Sequence, residues 1–256
     1  MIAILLCAGF ATRMYPLTKN LPKPLLQVAG RPALDYLMGQ IMEFPEIESV
    51  HLVTNARFFN RFVEWKDKWQ RETKQRGISL HLHNDGTTDN DNRLGAVADL
   101  AFVLHSIGAD AGAIVAAGDN IFRFLLKPIW QRFLESDRNY LIAIPETDPN
   151  RLRRTGVLEL GTDDRVLRFH EKPKDPPSSW VCPAIYFLQP SALHLVDEYL
   201  DHPDAQDAPG YFISYLVTKE PVYAIKVWGK AMDIGTIESY GEANAILSRE
   251  PVILAD

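Results

Sequence analysis

The chain has 256 residues, 46% of them apolar and 23% charged, and a formal net charge of −6. That length allows one large domain with a substantial core, and the acidic balance argues against a general nucleic-acid binder, which needs a basic surface to meet phosphates. The two cysteines, Cys7 and Cys182, cannot build a disulfide framework, and neither lies in a C-x-x-C metal or redox spacing.

Ile2-Ala3-Ile4-Leu5-Leu6 is an apolar run that predicts a buried first strand. It is too short to span a membrane and lacks the basic flank of a signal peptide, so a cytoplasmic protein with no membrane partner is expected. Cys7-Ala8-Gly9-Phe10-Ala11-Thr12-Arg13 follows, and Lys23 lies ten residues beyond Arg13 in Pro22-Lys23-Pro24-Leu25-Leu26. Gly30-Arg31-Pro32 predicts a turn. Leu34, Leu37, Met38, Ile41 and Met42 predict a helix from Ala33 to Phe44, and Val50 to Val53 is the next strand. Phe58, Phe62, Trp65 and Trp69 line one face of a long helix that Gly77 ends; this stripe suits packing on a sheet better than base stacking. Ile78, Leu80 and Leu82 alternate as a strand does, a polar loop runs from Asn84 to Asn92, and a helix is predicted from Leu94 to His105. Asp85, Asp89 and Asp91 in that loop lack the central glycine and terminal glutamate of a calcium site, so a solvated loop is expected.

Ala113 to Ala117 is an apolar strand running into Gly118-Asp119-Asn120, and Tyr140 to Ile144 is another. From Thr155 the character changes to short strands, Gly156–Leu160, Val166–Phe169 and Ala184–Leu188, which predict an antiparallel insertion on the sheet's edge over about 150–190. Helices around Ala192–Leu200 and Phe212–Thr218, a strand Val222–Val227 and a helix Ile237–Leu247 complete the chain. Alternating strands and helices predict an α/β domain spanning 1–256, with a mostly parallel sheet covered by helices.

Small residues after the first strand let backbone N–H groups approach a phosphate, and Arg13 and Lys23 then supply fixed positive charge. Neither G-x-x-x-x-G-K-[ST] nor G-x-G-x-x-G is present, so a P-loop and a dinucleotide site have no support. Asp119 sits at the carboxyl end of an apolar strand, where ligands bind in open α/β sheets. Asp233 also follows a strand, ahead of a helix that Thr236 is placed to cap. Either aspartate alone reads equally well as a helix cap.

Taken together these segments resemble the sugar-phosphate nucleotidyltransferases, the NDP-sugar pyrophosphorylases, and within them the glucose-1-phosphate thymidylyltransferase branch. The opening resembles [AG]-[AG]-G-x-G-T-R followed by P-K-x-L-L, with Ala11 where a second glycine is usual. Gly118-Asp119-Asn120-Ile121-Phe122 and Asp233-Ile234-Gly235-Thr236-Ile237-Glu238-Ser239-Tyr240 resemble the two magnesium-aspartate segments, and Glu171-Lys172-Pro173 matches E-K-P. The resemblance implies a Rossmann-like sheet whose antiparallel insertion forms the sugar-side lid. It implies Mg²⁺ on Asp119 and Asp233, with nucleotide contacts at Ala8, Gly9, Ala11, Thr12, Asn84, Gly95 and Asp119. It also implies that Arg13, Lys23 and Lys172 carry the catalytic charge and that Glu171, Lys172, Cys182 and Tyr186 hold the acceptor. The chain departs from the family pattern where Cys182-Pro183-Ala184-Ile185-Tyr186 replaces N-A-G-I-Y. It departs again in the base segment, where His83-Asn84 and Asn92-Arg93-Leu94-Gly95-Ala96 stand and only the last two residues match.

The implied reaction joins a sugar-1-phosphate to an NTP, dTTP or UTP being favoured, and releases pyrophosphate from a monomer or homodimer. Two other readings stay open. One is a CTP-dependent cytidylyltransferase acting on phosphocholine or another phosphoalcohol, with Trp180 and Tyr186 facing the quaternary ammonium. The other is a non-catalytic regulator that binds nucleotide sugars.

Overall fold

The computed structural model describes residues 1–250. The first half contains β1 (Ile2–Leu6), β2 (Gln27–Val28), β3 (Arg31–Pro32), α1 (Ala33–Ile41), β4 (Ser49–Thr54), α2 (Phe59–Gln75), β5 (Ser79–Asn84) and α3 (Ala96–Ile107). The middle contains β6 (Ala113–Ala117), β7 (Asn120–Phe122), α4 (Lys127–Leu134), β8 (Asn139–Pro145), α5 (Pro149–Leu152), β9 (Gly156–Leu160), β10 (Val166–Glu171), β11 (Trp180–Cys182) and β12 (Ile185–Leu188). The last part contains α6 (Pro190–Leu200), α7 (Pro209–Lys219), β13 (Val222–Lys226), β14 (Ala231–Asp233) and α8 (Ile237–Arg249).

Among the described residues ten strands form one sheet in the order β10-β9-β11-β8-β12-β6-β1-β4-β5, with β13 pairing β8 in parallel off this path. β1 pairs in parallel with β4 and β6, and β4 with β5. Strands buried on both faces read as unbroken apolar runs, which is why β1 and β6 carry almost no polar residue. Leu6 lies level with Val53 on one side and Ala117 on the other. The loops after β1, β4 and β6 therefore leave the sheet side by side, at the carboxyl edge where such sheets bind ligands.

Helices cover both faces. Phe62 and Trp65 of α2 are buried, and the indole N–H groups of Trp65 and Trp69 both donate to Asp35 Oδ1 of α1, at 2.7 and 3.1 Å. The aromatic stripe is therefore core, anchored by one carboxylate. Burying each such ring contributes roughly 2–3 kcal/mol. Gly77, at φ 71°, turns the chain out of α2 in the left-handed conformation that ends helices.

The structure corrects the predicted insertion. β9, β10 and β11 do extend the sheet antiparallel beyond β8. The strand expected at the insertion's end does not lie at an edge: β12 runs antiparallel between β6 and β8, in the middle of the sheet. All of Ile185-Tyr186-Phe187-Leu188 is buried, as a strand covered on both faces requires. The short sheet β7–β14, the hairpin β2–β3, strand β11 and helix α4 are further elements beyond those read from periodicity, and α3 starts at Ala96 instead of Leu94.

Candidate active site

The loop after β1 is held from beneath. Asn55, fully buried after β4, donates through Nδ2 to the carbonyl of Ala8 at 2.7 Å, and its Oδ1 accepts from the Phe58 N–H at 3.0 Å. Gly9 is exposed, with open space where a side chain would project. Ala11 adopts φ 48° and ψ 42°, the left-handed region that glycine enters freely, and its carbonyl accepts from Thr18 Oγ1 at 2.8 Å. Thr12-Arg13-Met14 then forms one 3₁₀ turn, with Met14 buried as its anchor and Thr12 and Arg13 exposed. Among the described residues the Arg13 guanidinium has no acidic partner.

Lys23, Asp119 and Asp233 come together although they lie far apart in sequence. Lys23 Nζ forms an ion pair with Asp119 and stands 3.6 Å from Asp233 Oδ1. The cause is the antiparallel pair β7–β14: Asp233 is opposite Asn120, so Asp119 and Asp233 arrive at the same edge. Gly118 lets the chain before Asp119 pack closely on Cys7, because a Cβ there would overlap Cys7 Sγ. Thr236 caps α8 by accepting from the Ser239 N–H at 3.1 Å, and Ser239 Oγ accepts from the Thr236 N–H at 3.1 Å. This reciprocal box fixes the turn that carries Asp233.

The electrostatics follow from the geometry. Burial works against charge on Asp119, but Lys23 more than offsets it and holds the carboxyl below its usual range. Burial also opposes charge on Lys23, yet Asp119 and Asp233 raise its pKa. Protein crowds Asp233, and Asp119 repels its charge, so its carboxyl rises to about 6 despite the attraction of Lys23 and Lys172. Solvent still reaches 63% of the Asp233 side chain, so the charge of Asp119 weighs more there than burial alone suggests. Two carboxylates on one ammonium mark a place where a single cation is within reach of both. Two oxygen donors, one of them on the solvent-exposed Asp233, suit a hard divalent ion that keeps waters and phosphate ligands. Among the described residues there is no cluster of three acidic, histidine or cysteine side chains that would cage a metal entirely.

Glu171 and Lys172 stand at the end of β10, level with Gly156 and, across β9, Cys182. Lys172 has φ 49°, and its Nζ lies 2.9 Å from Glu171 Oε1. The Glu171 carboxylate rests on the first turn of α7, where only the missing side chain of Gly210 leaves it room. The structure places the other two predicted acceptor residues differently. Cys182 and Tyr186 are 3% and 4% exposed and belong to the core between the sheet and α3, α6 and α7. The Cys182 thiol donates to the Pro183 carbonyl at 3.4 Å, and burial pushes both the thiol and the phenol well above their usual pKa. They form a floor near Glu171 and do not open onto the cleft.

On the nucleotide side, Asn84 is exposed at the end of β5, and Gly95, at φ 96°, leads into α3. Asp85 accepts from the N–H and hydroxyl of Thr87, both at 2.7 Å, and Asp89 accepts from the N–H groups of Asp91 and Asn92 at 2.9 and 3.2 Å. These acids hold turns. Sequence reasoning missed Asn55, whose signal would have been an amide just beyond a strand end. It also missed Asp99, an acid on the buried face of α3, whose Oδ1 has no hydrogen-bond partner among the described residues.

A family model described as "Nucleotidyl transferase" matches residues 2–250. A glucose-1-phosphate adenylyltransferase of Clostridium novyi (strain NT) is 24% identical over 95% of this chain, which spans 66% of that relative's length. A crystal structure from Bacillus anthracis, described as a glucose-1-phosphate thymidylyltransferase in complex with a sucrose, superposes with TM-score 0.82 at 22% identity, covering 98% of this chain and 96% of that one. A UTP-bound UGPase from Acinetobacter baumannii superposes with TM-score 0.76 at 20% identity, covering 98% and 95%. At these identities the two structural likenesses establish the fold.

Proposed function

The chain belongs to the nucleotidyl transferase family, and on that premise we propose that it joins a sugar 1-phosphate to a nucleoside triphosphate, dTTP or UTP, and releases pyrophosphate. The observation that carries this reading is the convergence of Lys23, Asp119 and Asp233 at the carboxyl edge, close enough to Lys172 for its charge to act on Asp233. A phosphate oxygen of the acceptor attacks the α-phosphorus, a new P–O bond forms, and the bond to the β-phosphate oxygen breaks with its electrons leaving on pyrophosphate. A phosphate monoester is already ionised near neutral pH, so no general base is required. Catalysis rests on positioning and charge neutralisation.

Each side chain has a part in that scheme. Arg13, exposed and without an acidic partner among the described residues, is assigned to the leaving pyrophosphate. The loop Ala8, Gly9, Ala11 and Thr12 offers its backbone to the phosphates, with Asn84 and Gly95 beside the base. Lys172 holds the attacking phosphate and Glu171 an acceptor hydroxyl. Lys23 neutralises charge around the reacting centre. Asp119 and Asp233 would hold Mg²⁺, which when bound supplies charge stabilisation at the α-phosphate. We place the reaction in the cytoplasm, on a monomer or homodimer that needs no nucleic acid; among the described residues no helix is long and apolar enough to cross a membrane.

The nucleotide choice draws on relatives that differ: the names of the structural neighbours point to dTTP and UTP, and that of the sequence relative to ATP. Pyrophosphate release with Mg²⁺ across dTTP, UTP, CTP, GTP and ATP, against several sugar 1-phosphates and phosphocholine, tests the proposal. Turnover with dTTP or UTP and one sugar 1-phosphate is expected. Turnover confined to CTP and phosphocholine, or none with any pair, would overturn it.

A further inference from the structure

We propose that Arg93 is a positioning residue that couples the nucleotide side of the cleft to the acceptor side, so that nucleotide binding improves the seating of the sugar phosphate. This rests on the reaction proposed above and assigns a role to a residue outside its substrate contacts.

The connection is continuous and short. Arg93 lies in the loop between Asn84 and Gly95, and its guanidinium donates through Nε and Nη2 to Asp207 Oδ2 at 3.2 and 3.1 Å. Its third nitrogen, Nη1, donates to the Asn90 carbonyl at 2.9 Å, which ties the loop to the same side chain. The first N–H of α3, from Ala96, donates to the Asp207 carbonyl at 3.0 Å. Gly95 presses so closely on Asp207 that a Cβ would overlap it. The start of α3 and the segment around Asp207 therefore move together.

Asp207 leads directly into α7. Two residues on, Pro209 opens the helix, and Gly210 is the position against which the Glu171 carboxylate rests. Ser214 Oγ on the next turn donates to the Phe169 carbonyl at 2.8 Å, fastening α7 to the strand that ends in Glu171 and Lys172. On its other flank the segment is pinned by the Tyr199 hydroxyl, which donates to the Gln206 carbonyl at 2.9 Å and accepts from the Gln206 N–H at 2.8 Å. Beside the backbone bond from Ala96, the half-exposed Arg93–Asp207 ion pair is the side-chain joint between the Asn84–Gly95 loop and this segment. Ordering the Asn84–Gly95 loop around a base draws on that joint and, through α7, on the acceptor carboxylate. Coupling of this kind is reciprocal by linkage.

The test compares wild type with Arg93→Ala and with the charge-reversed pair Arg93→Asp/Asp207→Arg; neither Arg93 nor Asp207 is itself a proposed substrate contact, although Asp207 packs on Gly95. In Arg93→Ala the acceptor KM is expected to rise about two- to fivefold, the effect of losing a solvent-exposed ion pair. The kcat and melting temperature should stay near wild type, and the reversed pair should recover the acceptor KM. Amide exchange with and without dTTP or UTP and Mg²⁺ reads the same coupling without turnover. Nucleotide should protect residues 204–212 in wild type and only the Asn84–Gly95 loop in Arg93→Ala. An unchanged acceptor KM, a failure of the reversed pair to recover it, or equal protection of 204–212 in both proteins would overturn the inference. If wild type releases no pyrophosphate with any pair, the proposed reaction has failed, and the exchange measurement still decides the coupling.

Discussion

Asp99 makes a prediction that rests on its burial beside Asp85. It sits 5% exposed on the first turns of α3, one oxygen has no partner among the described residues, and burial and then the neighbouring Asp85 raise its carboxyl from 3.8 to about 8. At neutral pH the folded protein thus keeps a proton that the unfolded chain has released. The stability this proton carries is complete below pH 4, and it falls as pH rises towards 8 by about 1.4 kcal/mol per unit. At pH 7 the accumulated cost approaches about 4 kcal/mol as an upper figure.

The window between pH 7 and 8 isolates it. Asp233, raised to about 6, has finished its own loss by pH 7. His51, lowered to about 4 by burial and then by His81 and His83, costs stability only as pH falls below 6.5. Urea unfolding of wild type should therefore lose about 1 kcal/mol between pH 7 and 8. In Asp99→Asn the amide can donate to Asp85 without taking up a proton, so the curve should be flat over that unit and the protein more stable at pH 8 by a few kcal/mol at most, on the order of the cost above. Persistence of the wild-type slope in Asp99→Asn, or a less stable variant at pH 8, would refute the reasoning.

Three further outcomes follow from the site. Arg13→Ala should lower pyrophosphate release by about 10²–10³, with the melting temperature unchanged because the residue is exposed; near-normal turnover would remove Arg13 from the mechanism. Ala11→Gly should raise stability in urea by about 0.5–1 kcal/mol, since φ 48° strains a β-carbon; a loss of stability would show that the loop has relaxed around alanine. Asp233→Asn should raise the Mg²⁺ concentration for half-maximal activity on the order of 10–100-fold, and an unchanged magnesium titration would take Asp233 out of the metal site.

The strands that could be read from the chain are those that burial makes uniform. Ala3 to Leu6 and Ala113 to Ala116 are enclosed on both faces, and no polar residue was tolerated there, so their composition announced them. The same logic was available for Ile185-Tyr186-Phe187-Leu188, an equally unbroken run, and points to a central strand. Its closeness to the short alternating strands before it drew it to the edge instead, because neighbourhood in sequence is no guide to order in a sheet that the chain crosses and recrosses. The elements that build the site were hidden for a different reason. β7 and β14 have three residues each, too few to show a repeated alternation or one helical turn, and they are strands only because each supplies the other's hydrogen bonds. No local signal could state that Asn120 lies opposite Asp233. Resemblance to a family could bring Lys23, Asp119 and Asp233 to attention as chemistry, but their meeting on one ammonium is a property of that pairing. Cys182 and Tyr186 show the limit from the other side. Their positions matched a family segment, and yet the strand register turns both side chains inward, against α6 and α7. A motif match locates a backbone; which face a side chain takes is decided by the pleat, and a single residue of register exchanges a ligand for a piece of core.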